Sequence, residues 1–209
     1  LQVIDQIAAE MGRTVDVALR INPDVDPHTH KHISTGHGDS KFGISYREIE
    51  QVADEVEQLR NIRIVGLHFH VGSQILDMSV FENLCHRVNE LTRWFENRGV
   101  ALEHINVGGG LGIDYVDPDR APIPDFEGYF ATFARTLDVG DKQVHFELGR
   151  SIIGQCGELI SRVLYRKTTP TEREVAIIDA SMTELMRPAL YGAYHEIVVP
   201  GKENSGETS

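Results

Sequence analysis

The chain has 209 residues, 41% hydrophobic and 25% charged, with 20 Lys plus Arg against 32 Asp plus Glu and a formal net charge of −12. This is the composition of a water-soluble globular protein with a sizeable core, and its acidity argues against binding a nucleic-acid backbone or an anionic membrane surface. Cys85 and Cys156 are too few for a disulfide framework, which favours a reducing, cytoplasmic compartment, and no apolar run approaches the roughly 18 residues of a membrane helix.

The first residues, LQVIDQIAAEMG, carry no basic segment of a signal peptide and open inside an amphipathic pattern of Val3, Ile4, Ile7 and Met11, as though a helix were entered part-way. With the polar ending KENSGETS, both ends read as cuts. Between them strand-like and helical patterns alternate. VDVALRI (15–21) is a short apolar run. Ser45 with Glu48 forms a capping box ahead of Ile49, Val52, Val56 and Leu59 at helical spacing. IRIVGLHFH (62–70) is again strand-like, and Val80, Phe81, Leu84, Val88, Leu91 and Phe95 make one helix face that stops at Gly99. LEHINV (102–107) and QVHFEL (143–148) read as strands around a helix over 126–137. After Gly149 the rhythm changes, with GELISRVLYRK and EVAIIDA as successive strands.

Such a β-α-β-α rhythm means parallel strands with helical crossovers. About four repeats of the barrel type are present, whereas a complete (β/α)8 barrel needs eight in roughly 250 residues. An open doubly wound sheet satisfies the rhythm too. The barrel is favoured because HFHVGS, GGGLG and ELGR each follow a strand, at the end where barrel active sites are built.

The run HINVGGGLGIDY needs an unusually bare backbone. It fails the dinucleotide fingerprint, since Ile113 stands where the last glycine belongs, and the chain has no G-K-[ST] of a P-loop. What remains is a nest of amides suited to a single phosphate, or else a turn packed tightly against its neighbours. His68 and His70, two apart on a strand, share a face, which suits either a metal-binding H-x-H pair or a ring laid on an aromatic cofactor. The later strand ends offer glycines, Glu147 and Arg150, a poor metal set but a suitable pair for a pyridine nitrogen and an anionic group. The cluster His28, His30, His32 and His37 reads as a solvated loop or lid, Cys156 as buried, and Trp94 as helix surface.

Read together and in order, GLHFHVGSQ, INVGGGLGIDY, FELGRSI and IIDASMTELMRPALYGAYHEI resemble the diaminopimelate decarboxylase family, pyridoxal-phosphate enzymes of the alanine-racemase-like barrel class. HVGSQ and the glycine run are shared with ornithine- and arginine-type decarboxylases, while RPALYGAYHE is particular to the diaminopimelate branch. The resemblance implies an α/β chain, with residues 1–156 forming part of a pyridoxal-phosphate-binding (β/α)8 barrel and 157–209 starting a β-rich C-terminal domain. It implies that His70 stacks on the pyridine ring, that Ser73, Gly109, Gly110, Gly149 and Arg150 hold the cofactor, and that Glu147 pairs with the ring nitrogen. Arg150, Arg187 and Tyr191 would hold the D-centre carboxylate of meso-diaminopimelate, a small amino-acid substrate, and the complete protein would be a homodimer.

Two departures stand out. The family's E-P-G-R reads E-L-G-R, with Leu148 in place of Pro. The Schiff-base lysine in its Y-A-x-K-A context has no counterpart, because Lys31, Lys41, Lys142, Lys167 and Lys202 all sit in other contexts, and the C-E-S-G-D motif is absent as well. The expectation is therefore a central piece of a decarboxylase that neither anchors the cofactor covalently nor turns over alone. Three alternatives remain: another decarboxylase of this class, a metal-dependent barrel hydrolase using His68 and His70, and a non-enzymatic pyridoxal-phosphate carrier of the same fold.

Overall fold

The computed structural model describes residues 1–25 and 41–201. His28, His30, Lys31, His32 and His37, and the tail from Lys202, lie outside the described residues. The chain divides into two compact units, Leu1–Ile113 with Ile123–Gly154, and Asp114–Pro122 with Gln155–Ser209.

In the first unit, helix α1 (Gln2–Glu10) leads to β1 (Val15–Asn22), β2 (Ile44–Ser45) and α2 (Ile49–Val56). Then come β3 (Ile62–His68), α3 (Met78–Asn97), β4 (His104–Asn106), α4 (Phe126–Thr136), β5 (Gln143–His145) and the short α5 (Arg150–Ile153). The strands form one sheet in the order β2-β1-β3-β4-β5, parallel throughout. β1, β3, β4 and β5 lie side by side in chain order, while the two-residue β2 pairs with the other edge of β1. Leu67, Phe69, Ile105 and Val107 on one face are fully buried with Ala53 of α2, Phe81 and Leu84 of α3 and Phe133 of α4 in a single cluster. On the other face His104, Gln143 and His145 are at least partly exposed. With α2, α3 and α4 packed on one face, the sheet has the arrangement of a barrel wall, whereas a doubly wound sheet carries helices on both faces.

Packing between α3 and α4 centres on Phe81, whose ring meets Tyr129 edge-on at 4.8 Å. Burial pushes the Tyr129 hydroxyl and the Cys85 thiol upward, the thiol to about 12, so Cys85 behaves as a small apolar group. α3 also supplies Asn89, 7% exposed, which donates to Thr136 O at 2.8 Å and accepts from Asp138 N at 2.8 Å. It thereby closes the orphaned end of α4. Asn89→Ala leaves both backbone groups without that partner. It should lower stability by about 1–3 kcal/mol in denaturant titration.

Several local expectations are corrected. Ser45 does cap, but it caps a 3-10 turn over Tyr46–Glu48 by accepting from Arg47 N, and α2 starts only at Ile49 with no side-chain cap from Glu48. β3, β4 and β5 are shorter than their apolar runs: β3 stops at His68, so His70 follows the strand rather than ending it. Trp94 is partly buried, packing edge-on against Phe95 at 4.9 Å under the Arg98 guanidinium. Cys156 is exposed. α1 turns its apolar stripe outward, leaving Val3 and Met11 largely exposed and Ala8 its buried residue.

The second unit contains an antiparallel hairpin, β6 (Val163–Thr168) and β7 (Glu174–Ile178), and a short helix α6 (Arg187–Tyr191) that ends at Gly192. At the mouth of the hairpin Asp179 accepts from Arg162 N and Ser161 Oγ. Those donors hold its carboxyl below the usual range. Among the described residues, no helix is long and apolar enough to cross a membrane.

Candidate functional site

Parallel register brings the segments after β3, β4 and β5 together. Arg20 pairs with His68, His68 with Asn106, and Asn106 with His145. The ladder then continues past the strands: Phe69 N donates to Asn106 O, Val107 N to His145 O and Glu147 N to Gly108 O, at 2.7–3.0 Å. A second lock joins the first two segments, with Ile75 N donating to Gly110 O and Gly112 N to Ile75 O. Gln74 also reaches both the N–H and the carbonyl of Ile113.

These locks explain the glycine run physically. A Cβ on Gly108 (φ +72°) would lie 2.4 Å from Phe69 O, one on Gly109 2.1 Å from Glu147 O, and one on Gly110 2.8 Å from Gly72 O. The backbone is bare there because three loops pack against one another, a demand the protein makes before any ligand enters. Gly149 differs. A Cβ there would meet nothing within 4 Å.

Glu147 points from the β5 segment toward two neighbours. Its Oε1 accepts from Asn106 Nδ2 at 2.9 Å, and its Oε2 lies 3.4 Å from His68 Nε2. Arg150, the first residue of α5, turns back so that Nε and Nη2 both donate to Ser73 Oγ at 3.1 Å. His70 Nδ1 accepts from Gly109 N at 3.3 Å, which assigns the proton of the neutral ring to Nε2. Asn106 Oδ1 accepts from Gly108 N at 2.9 Å. His70, Ser73, Gly109, Gly110, Glu147, Gly149 and Arg150 thus all lie on three interlocked segments, and Gly109 directs its N–H at His70. Arg187 and Tyr191 belong to the second unit. There the Arg187 guanidinium lies 4.4 Å from the Tyr115 ring centroid and its Nη1 is 2.9 Å from His195 Nε2.

Sequence reasoning singles out neither Asn106, Tyr115 nor His195, and gives His68 no role toward Glu147. Period-two alternation after the strands carried the signal for Asn106, which shares a face with His68 and Glu147. Among the described residues no three His, Cys, Asp or Glu gather as metal ligands.

Burial holds both His68 and His70 below the ordinary imidazole range, with the Arg20 charge acting in the same direction and Glu147 opposing it. With folded values under the reference of 6.5, the unfolded chain binds more protons as pH falls through that window. Stability from these two rings should therefore be fully present above pH 6.5 and decline below it. Urea midpoints at pH 7.5 and 5.5, compared with a His68→Gln/His70→Gln double variant, measure this; the variant should lose less on acidification.

The donor set suits an anionic aromatic cofactor: a guanidinium and a hydroxyl for an anion, a glycine with open space beside it, a neutral imidazole, and a carboxylate held by a neighbouring amide. Residues 1–154 match the family model described as the pyridoxal-binding domain of pyridoxal-dependent decarboxylases. The chain belongs to that family, its parallel sheet is part of a (β/α)8 barrel, and the family's cofactor is pyridoxal phosphate. Its relatives include diaminopimelate decarboxylases. That of Bacteroides thetaiotaomicron is 54% identical over 94% of this chain and 51% of its own length, and that of Zymomonas mobilis 41% identical over 94% and 46%. Among solved structures, a variant of the Helicobacter pylori diaminopimelate decarboxylase complexed with L-lysine superposes with a TM-score of 0.84 at 32% identity, over 93% of this chain and 48% of that one. The chain spans about half the length of the curated relatives it matches.

Among the described residues the lysines are Lys41, Lys142 and Lys167. Lys142 immediately precedes β5, at the end opposite Glu147, and pairs with Glu96 at 2.5 Å. Lys41 lies over the Phe42 ring, and Lys167 is on β6.

Proposed function

We propose that the protein of which this chain forms part decarboxylates meso-2,6-diaminopimelate to L-lysine and CO2 with pyridoxal phosphate. The observation that carries the reading is the placement of Glu147 beside Asn106 and His68, in the same interlocked loops as His70 and the Arg150–Ser73 pair. When bound, the cofactor supplies an electron sink for the pair left behind as the carboxylate departs. The chain's own residues do the rest. Glu147 would pair with the ring nitrogen and keep a proton there, His70 would stack on the ring, and Ser73, Gly110, Gly149 and Arg150 would hold the phosphate end. Gly109 joins them if its N–H exchanges His70 for a phosphate oxygen. Arg150, Arg187 and Tyr191 would serve the substrate's carboxylate, an arginine meeting it as a planar fork.

Support for the substrate comes from RPALYGAYHE and from the names of the relatives, with lysine bound in the Helicobacter pylori enzyme. The domain division proposed is barrel to residue 156 and β-rich domain from 157. The lysine that anchors the cofactor would lie elsewhere in the complete protein, which we take to be a cytoplasmic homodimer. The test is turnover by the complete open reading frame: lysine should appear from meso-diaminopimelate, and no putrescine from ornithine. Products from ornithine alone would move the protein to another decarboxylase branch.

Gly149 offers a separate check. Gly149→Ala should leave the denaturation midpoint nearly unchanged, since a methyl there meets open space. Its affinity for pyridoxal phosphate, followed by absorbance, should fall by about tenfold if the cofactor uses that space.

A further inference from the structure

We infer that His68 is a positioning residue for Glu147, holding the second carboxylate oxygen as Asn106 holds the first. The inference rests on the reading of Glu147 given above but concerns a residue to which that reading assigns no task. Asn106 Nδ2 donates to Oε1 at 2.9 Å, and His68 Nε2 faces Oε2 at 3.4 Å. His68 Nε2 is buried and has no hydrogen-bond partner among the described residues at full bonding geometry. A buried polar atom left in that state is costly, and Glu147 Oε2 is the acceptor within reach of a small rotation.

The backbone prepares this meeting. His68 is the last residue of β3 and is registered with Asn106, while Glu147 N is tied to Gly108 O, so the three side chains rise from adjacent strands onto one face. The groups facing His68 are Arg20 from β1 and Glu147 from the segment after β5, with His70 two residues on. Burial and Arg20 disfavour a charged ring, so His68 serves as a neutral donor. A neutral ring donates through Nε2 only as the Nε2–H tautomer. Two donors, one on each oxygen, then fix the plane of the carboxylate, a more demanding restraint than Asn106 alone provides.

The test uses the complete protein with 15N-labelled histidine, first without cofactor. His68 should give the nitrogen shifts of the Nε2–H tautomer, and in Glu147→Gln its titration midpoint should fall by roughly one pH unit as the neighbouring charge is lost. An Nδ1–H tautomer, or a midpoint indifferent to Glu147→Gln, overturns the inference whether or not the functional reading stands. With pyridoxal phosphate added, His68→Leu should weaken cofactor binding by about tenfold in the wild-type background and far less in the Glu147→Gln background. His68→Gln, which offers an amide donor, should recover much of the loss and serves also if the leucine variant folds poorly. Equal losses in both backgrounds would make His68 a packing residue and overturn the proposal. Failure of the wild type to take up pyridoxal phosphate would instead refute the functional reading, leaving the tautomer and midpoint to decide this one.

Discussion

Replacing Glu147 by Gln in the complete protein should lower kcat for diaminopimelate by about a hundredfold to a thousandfold, the usual consequence of removing a preorganised charge from a reacting centre. Glu147 accepts from Asn106 Nδ2 at 2.9 Å and presents its other oxygen to His68 Nε2 at 3.4 Å. Gln has one acceptor oxygen and one NH2 group, so it satisfies one of these donors and turns its own donors toward the other. It also cannot supply the negative charge that keeps a pyridine nitrogen protonated. KM should move much less than kcat, because Glu147 is assigned to the cofactor and not to the substrate. Steady-state kinetics of the purified variant, with its thermal midpoint as a control for folding, check this. A variant within a few-fold of wild type would remove Glu147 from the chemistry.

The second large effect concerns stability. Gly108→Ala should destabilise the fold by about 3 kcal/mol, combining a left-handed backbone that disfavours L side chains with overpacking. Its φ is +72°, and the new methyl would lie 2.4 Å from Phe69 O and 2.9 Å from His70 Nδ1. Neither neighbour can easily retreat. Phe69 is fully buried and its N–H is tied to Asn106 O at 2.8 Å, while His70 holds the Gly109 N–H. Chemical denaturation of wild type and variant measures the loss. A change below about 0.5 kcal/mol, the range of ordinary surface substitutions, would mean that the three loops do not lock as described.

That contrast shows what was legible in the sequence. Apolar periodicity located α3 because Phe81, Leu84, Val88, Leu91 and Phe95 all face one core, and Asp77 and Gly99 mark its ends. The alternating rhythm gave parallel strands. It did not give their lengths: β4 and β5 are three residues each, because the ladder passes into loops whose hydrogen bonds continue without strand geometry. The sequence also left the glycine run open between ligand and packing. The deciding atoms, Phe69 O, Glu147 O and Gly72 O, belong to segments some forty residues away and become neighbours only through the register of β3, β4 and β5.

Candidate site residues are legible where side chains announce chemistry, as with Glu147 and Arg150, and illegible where they act on one another. Asn106 carries no chemical signature; its use follows from the 2.9 Å contact with Glu147. Likewise Tyr115 and His195 acquire meaning through Arg187 and through each other. Cysteine is usually buried, which puts Cys156 inside, yet it lies just past α5 and is exposed. α1 makes the same point for helices. Its stripe of Val3, Ile4, Ile7 and Met11 defines a face, but a stripe does not name what covers it.

The most direct test of the functional reading follows the bond that breaks. The complete protein would be incubated with meso-diaminopimelate carrying 13C in the carboxylate of its D-centre, with and without added pyridoxal phosphate after removal of bound cofactor. Labelled CO2 released in equal amount to lysine, and only with pyridoxal phosphate, is the predicted result. Unlabelled CO2, or release undiminished without the cofactor, would contradict the assignment of reaction and cofactor together.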